Sequence, residues 1–488
     1  MKKITTIAVQ FVFLSLLAMV FTSKTSAQTV DSSFLKEFNA FNQQINQEFS
    51  SFVSHNDSVF LLFLQNSWKE FEGKQNPRPV SPKPVIQPVI GQPLSPLNPE
   101  DSLVKTGNPD TTAIQGQETN MPEKESMDNL STGKSFLFYG NRIQLPLSDI
   151  QLPELTAVSR QGIINYFLKA SRSQDFMDVT SSLKSKAINY KLNDWGYASL
   201  LLKASRSYYA SANEQALFTW VALLHQGYNV KVGYSNSAIY LLMPSDVQLY
   251  TVSFTIGSRD YFFVGPGPAP SSDEKVFIHE ADYPGNKPVC SFIIKEIPQF
   301  GYLETLRTLL YNKPLLLNLN KNLIEFYRSY PPCELGVYFN APLSINAMQK
   351  FDAYFLPLLE GKSDNQRVDL LLDYVQHAIH YQTDRDQFGK ERYLFPDETL
   401  FYPAADCEDR SILLARLLSR YTKVPFIGLS YPAHITLAVN LDACPGNDFV
   451  IYNEKRFYIA DPTYLGASCG MAMTAIQGET PEIIYQNF

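Results

Sequence analysis

Nowhere in this 488-residue chain do lysines and arginines gather into a basic block, and the net charge of −7 is mild. That removes the electrostatic footprint of a nucleic-acid or anionic-membrane partner. Beyond the N-terminal stretch no run of 18 or more uninterrupted apolar residues exists, so no later segment is read as a membrane span. A D-x-D-x-D-G loop is missing, and no calcium requirement is predicted. His377 and His380 stand three apart, but no third ligand is spaced to join them, so they are read as structural or surface residues and no metal or cofactor is assigned. Cysteine is scarce, with five in all.

What is present begins with MKKITTIAVQFVFLSLLAMVFTSKTSA, a dibasic start, an apolar stretch and a small-residue ending before Gln28, which is the build of a secretory signal peptide over 1–27. An exported, periplasmic, cell-surface or extracellular protein is therefore expected, with no membrane role beyond that peptide. In 28–75, Phe34, Phe38, Phe41, Ile45, Phe49 and Phe52 recur at helical spacing, and this one-sided stripe needs cover from its own domain or a second copy. Residues 76–134 are read as an extended linker, since 77–99 hold eight prolines and the remainder is polar. Two α+β segments follow, 135–345 and 346–488. In the first, KVFIHEA and CSFIIKEI read as strands. In the second, 366–381 reads as a helix with Val368, Leu371, Leu372, Val375 and Ile379 on one side.

Export makes cysteine pairing a question. Cys290 and Cys333 fall in one region, Cys444 and Cys469 in another, and a local pairing scheme leaves Cys407 free, although sequence alone does not fix connectivity. Cys407 stands where an apolar helical run begins, over about 407–420. A helix start favours thiolate and can receive an oxyanion. Glu408 and Asp409 oppose the thiolate, so an imidazolium partner is needed. PFIGLSYPAHITLAVNL alternates as a strand with His434, Thr436 and Ala438 on one face, and KRFYIADPTY gives a second strand ending at Asp461. Were the two antiparallel neighbours, Asp461 would orient His434 toward Cys407: nucleophile, base and orienter.

D-C-E-D at 406–409, A-H-I-T-L-A-V at 433–439 and A-D-P-T-Y at 460–464 resemble the transglutaminase-like cysteine enzymes, a papain-related α+β fold. YQTDRDQFG at 381–389 and PDETLFYPAADC at 396–407 look like the approach to the nucleophile in exported bacterial members, and the resemblance spans roughly 350–475. It implies Cys407, His434 and Asp461 as a catalytic triad acting on a peptide or protein amide through an acyl-thioester, with hydrolysis favoured over crosslinking acyl transfer. Ala405 departs from the glycine many members carry, and Gln382 is a weak candidate for the oxyanion hole. The alternative from another class is a non-catalytic adhesion or assembly module built on the same fold.

Residues 213–266 read as a degenerate copy of this core. Aligning Gly233, Ser235 and Ala238 with Gly428, Ser430 and Ala433 puts Asn213 at the place of Cys407, Ile239 at that of His434 and Gly265 at that of Asp461. The spacings are 26 and 52 residues against 27 and 54.

Overall fold

A computed structural model describes residues 55–66, 68–78, 135–145, 150–271 and 273–488. The expected signal peptide, the Phe stripe at 34–52 and the linker from 79 to 134 lie outside the described residues. The chain divides into Met1–Ser58 and Val59–Phe488. In the first, residues 55–58 are helical; all that follows concerns the second, a mixed helix-and-sheet fold of the α+β class. No helix among the described residues is long and apolar enough to cross a membrane.

In chain order the strands are β1 (Lys69–Glu72), the hairpin β2 (Ser135–Phe138) and β3 (Asn141–Gln144), then β4 (Lys231–Tyr234), β5 (Ile239–Pro244), β6 (Ser253–Ile256), β7 (Arg259–Phe263) and β8 (Lys275–Ile278). After them come the hairpin β9 (Glu304–Leu309) and β10 (Leu315–Asn320), the short parallel pair β11 (His380–Tyr381) and β12 (Ala404–Ala405), and β13 (Phe426–Tyr431), β14 (His434–Val439), β15 (Phe449–Tyr452), β16 (Lys455–Ala460) and β17 (Glu482–Asn487). One sheet runs β1-β8-β4-β5-β7-β6 and the other β15-β16-β14-β13-β17.

Read from β8 and from β17, the two sheets have the same order and every pairing is antiparallel. Each begins with a helix buried nearly all round, Ala212–His225 against β5 and Cys407–Tyr421 against β14, as expected of helices at the centre of a fold. Gly233 in β4 and Gly428 in β13 both face the outer strand of their sheet, although Gly233 pairs with the residue after Ile239 and Gly428 with the third residue after His434. A Cβ on Gly233 would lie 2.6 Å from Val276 of β8, and one on Gly428 would lie 3.0 Å from Tyr485 of β17, so in both sheets glycine admits the outer strand. A single apolar core runs through both segments, from Phe60 to Cys469.

Several expectations need correction. PFIGLSYPAHITLAVNL is a hairpin, not one strand, because Pro432, lacking an N–H, turns the chain with Ala433 between Tyr431 and His434, which face each other in register. CSFIIKEI is irregular: its amides are taken by side chains, Ser291 N–H by Asp194 at 2.8 Å and Phe292 N–H by Asp246 at 3.0 Å, leaving no ladder to join. Within 28–75, read as helical, Lys69–Glu72 is a strand drawn to the open edge of β8 and flanked by the pairs Lys69–Glu280 and Glu70–Lys275. The first linker residues are packed, Asn76 donating to Thr251 O and Ser253 Oγ and Arg78 lying 3.9 Å over the Tyr393 ring. The helix after residue 210 starts at Ala212, with Ser211 rather than Asn213 as its cap.

Cys444 and Cys469 form a disulfide with Cα atoms 5.5 Å apart, whereas Cys290 and Cys333 are free and buried. The second expected pair is absent because the loop from β5 holds them apart: Cys290 bridges Ser245 and Cys333 bridges Leu249. Burial pushes both thiols far above their usual range. Mass mapping of unreduced protein is therefore expected to find Cys444 linked to Cys469, with Cys290 and Cys333 alkylated only after denaturation or slowly. Cys469→Ser should cost about 2–4 kcal/mol in denaturant unfolding, the usual worth of a native disulfide.

Candidate functional site

The residues before Cys407 set its position. Ala404 and Ala405 pair in parallel with His380 and Tyr381, and Asp406 caps the helix in extended conformation, φ −94° and ψ −157°. No left-handed residue is needed in this approach, so Ala405 fits where glycine would also serve. The helix is pinned to the second sheet by Ser411, whose hydroxyl donates to Cys407 O at 2.8 Å and Ile435 O at 3.2 Å.

Cys407 is 5% exposed, and its Sγ donates to Glu408 Oε2 at 3.1 Å. Burial pushes the thiol well above its usual pKa, and the charges of Glu408 and Asp406 push it further. His434 opens β14, and its Nε2 meets Asp461 Oδ2 at 2.8 Å with both side chains buried. Asp461 Oδ1 accepts from Thr463 N–H at 2.9 Å. β14 and β16 are antiparallel neighbours, as expected. Cys407 and His434 line one cavity of about 670 Å³. Among the described residues no hydrogen bond joins them, so the structure brings His434 and Asp461 into contact and sets Cys407 on the same cleft as His434.

Two positioning side chains escaped the sequence reading. Arg410, 1% exposed, donates to Pro462 O at 3.1 Å and Ile379 O at 2.5 Å, tying the Cys407 helix to the turn after Asp461 and to the end of the Asp364–Ala378 helix. Burial brings its pKa down to about 10. Gln376, also buried, donates to Asp461 O and Ala467 O, both at 3.0 Å, and accepts from Gly466 N–H at 3.0 Å. The signal for both was helical phase, since each sits on the apolar side of its helix, where an uncommitted polar side chain would be costly.

Other candidates fall elsewhere. Gln382 lines a separate cavity with His377, His380 and Arg410 and does not reach the Cys407 cleft, because the parallel pairing of His380–Tyr381 with Ala404–Ala405 carries it past. Tyr381, beside Ala405 in that pairing, has a buried hydroxyl without a hydrogen-bond partner, and burial followed by the Cys407 and Asp406 charges holds it protonated far above the usual range. His377 pairs with Asp373 and stacks on Tyr311, a structural role, while His380 is exposed in β11.

Acidic residues crowd the helix start. Asp384, Asp406 and Asp409 each bring one carboxylate oxygen within 4.8 Å of the others. Asp384 Oδ2 takes Arg392 N–H and Asp409 Oδ1 takes Leu394 N–H at 2.8 Å. Asp406 Oδ1 and Asp409 Oδ2 have no partner. These three, and equally Asp384 with Glu391 and Glu408, are close enough to hold a metal ion. Without one, burial raises Asp384 to about 8, helped by Glu408, and raises Asp406 and Asp409 strongly. Burial also raises Asp397 to about 6 and Glu398 to about 7, the latter despite the adjacent Arg392.

These acids bind their protons more tightly folded than unfolded. Their contribution to stability is complete below the ordinary carboxylate pKa of about 4 and is lost as pH rises through 6 to 8. In chelating buffer the melting temperature should fall between about pH 5 and pH 8, and Asp384→Asn should flatten the upper part of that slope. No family model, curated protein or solved structure matches this chain.

Proposed function

We propose that this chain is an exported thiol enzyme of the transglutaminase-like kind that cleaves a peptide or protein amide through an acyl-thioester on Cys407. The observation that carries this reading is the buried His434–Asp461 hydrogen bond of 2.8 Å opening onto the cleft that Cys407 also lines. With Nε2 held by Asp461, Nδ1 is the ring atom left for the thiol proton. The thiol now faces Glu408, so the first step turns the S–H toward His434. His434 takes the proton, Sγ bonds to the carbonyl carbon, and the imidazolium returns the proton to the departing nitrogen as the C–N bond breaks. Water, deprotonated by the same imidazole, then attacks the thioester and releases the acid and the thiol. The first helical N–H groups are the donors offered to the oxyanion.

The blunted copy belongs to the same proposal. The shared strand order, a glycine against the outer strand in each sheet and the buried helix support a duplicated core. So does Asn213, which stands where Cys407 would and accepts from Ile239 N–H at 2.8 Å. Gly265 sits where Asp461 would, and a Cβ there would lie 3.2 Å from Leu241 N. Nothing nucleophilic remains, leaving a scaffold for the active half. The rival reading, a binding module, draws on the strongly raised Cys407 thiol.

Labelling by a peptidyl acyloxymethyl ketone, read by intact mass, decides between them. Cys407 should be alkylated, and Cys407→Ala should remove the label while leaving the fold intact. His434→Ala should slow labelling on the order of 10³-fold, and Asp461→Asn should retain part of the rate. An inert native Cys407 would favour the binding module. Asn213→Ala should cost about 1–2 kcal/mol of stability for its lost hydrogen bonds and leave Cys407 labelling unchanged.

A further inference from the structure

The cleft at Cys407 has a charge pattern that the triad does not require. Its walls carry the carboxylates of Glu334, Glu391, Asp406, Glu408 and Glu482, and no lysine or arginine lines it. Among the described residues none of the five forms an ion pair with a basic side chain. Glu408 is 3% exposed and keeps one oxygen on the Cys407 thiol, while its Oε1 is buried without a partner. Asp406 Oδ1, on the same wall, is also unpartnered. Buried acceptors of this kind are costly unless something donates to them, and a cation does so best.

The chain supplies a guanidinium at the edge of this wall. Arg78, just after the strand that pairs with β8, lies 3.9 Å over the ring of Tyr393, and Tyr393 lines the cleft with Glu391. An aromatic face flanked by carboxylates is a setting in which a cationic side chain is held by ring and charge together.

We propose that the cleft selects a peptide substrate with a lysine- or arginine-type cationic side chain beside the reacting amide. The inference rests on the thiol-enzyme reading and adds the substrate class. A bound cation is met by the carboxylates of that wall, Glu391 and Glu408 among them.

The test uses full-length protein and three peptidyl acyloxymethyl ketones that differ at one side chain: lysine, its uncharged near-isostere norleucine, and glutamate. The second-order rate of Cys407 alkylation is read by intact mass. The lysine probe should react on the order of tenfold faster than the norleucine probe and the glutamate probe slowest, with the spread narrowing as salt is raised. Glu391→Gln should reduce the lysine-to-norleucine ratio. Equal rates for all three probes in the native protein would overturn the cationic preference while leaving the enzyme reading intact. Failure of every probe to reach Cys407 would overturn the enzyme reading and this inference with it.

Discussion

The buried guanidinium of Arg410 is the tie on which the site depends. It leaves the Cys407 helix one turn after its start and reaches two carbonyls on other elements, Ile379 after the long helix and Pro462 after β16. Those carbonyls would otherwise be buried without donors, and the guanidinium would be an unpaired interior charge. Either defect costs several kcal/mol, so the three segments are held in one arrangement. Gln376 secures the same turn from the long helix, and Asp461 is thereby fixed at both its carbonyl and its carboxylate.

Around this anchor the helix start is built with too many acids for the cations present. Asp384, Asp406, Glu408 and Asp409 are buried together, and the Cys407 thiol is raised by its own burial first and by Glu408 and Asp406 after it. A helix N-terminus alone would lower a thiol's pKa; here desolvation and nearby carboxylates outweigh the partial charge of the helix. The Cys407 thiol faces Glu408. In the proposed mechanism it acts once the S–H turns toward His434.

The two sheets show how one architecture carries different residues at the same points. In the 213–266 segment an asparagine side chain fills the helix start and bonds the strand backbone directly, a self-satisfied arrangement with no group left to react. At 407–461 the corresponding positions hold a thiol, an imidazole and a carboxylate, and polar atoms remain free to meet a ligand. The shared strand order belongs to the scaffold, and the proposed chemistry would rest on three side chains.

By itself the sequence determined the central helix from Cys407, the strand of His434 and the strand that leads to Asp461, because periodicity and turn residues are local; the helix read over 366–381 stops at Ala378, where His380 and Tyr381 leave it to pair with Ala404 and Ala405. It also placed His434 and Asp461 close enough in order for one antiparallel pairing to join them. Tertiary structure decided what depends on partners distant in the chain. It took CSFIIKEI out of a ladder through Asp194 and Asp246, kept Cys290 apart from Cys333 across a loop, and sent Gln382 to another cavity. It also drew Lys69–Glu72 onto an open sheet edge. The acid cluster was visible as letters, but its burial was not: exposed carboxylates and buried ones look alike in sequence, and only packing sets the solvation that separates them.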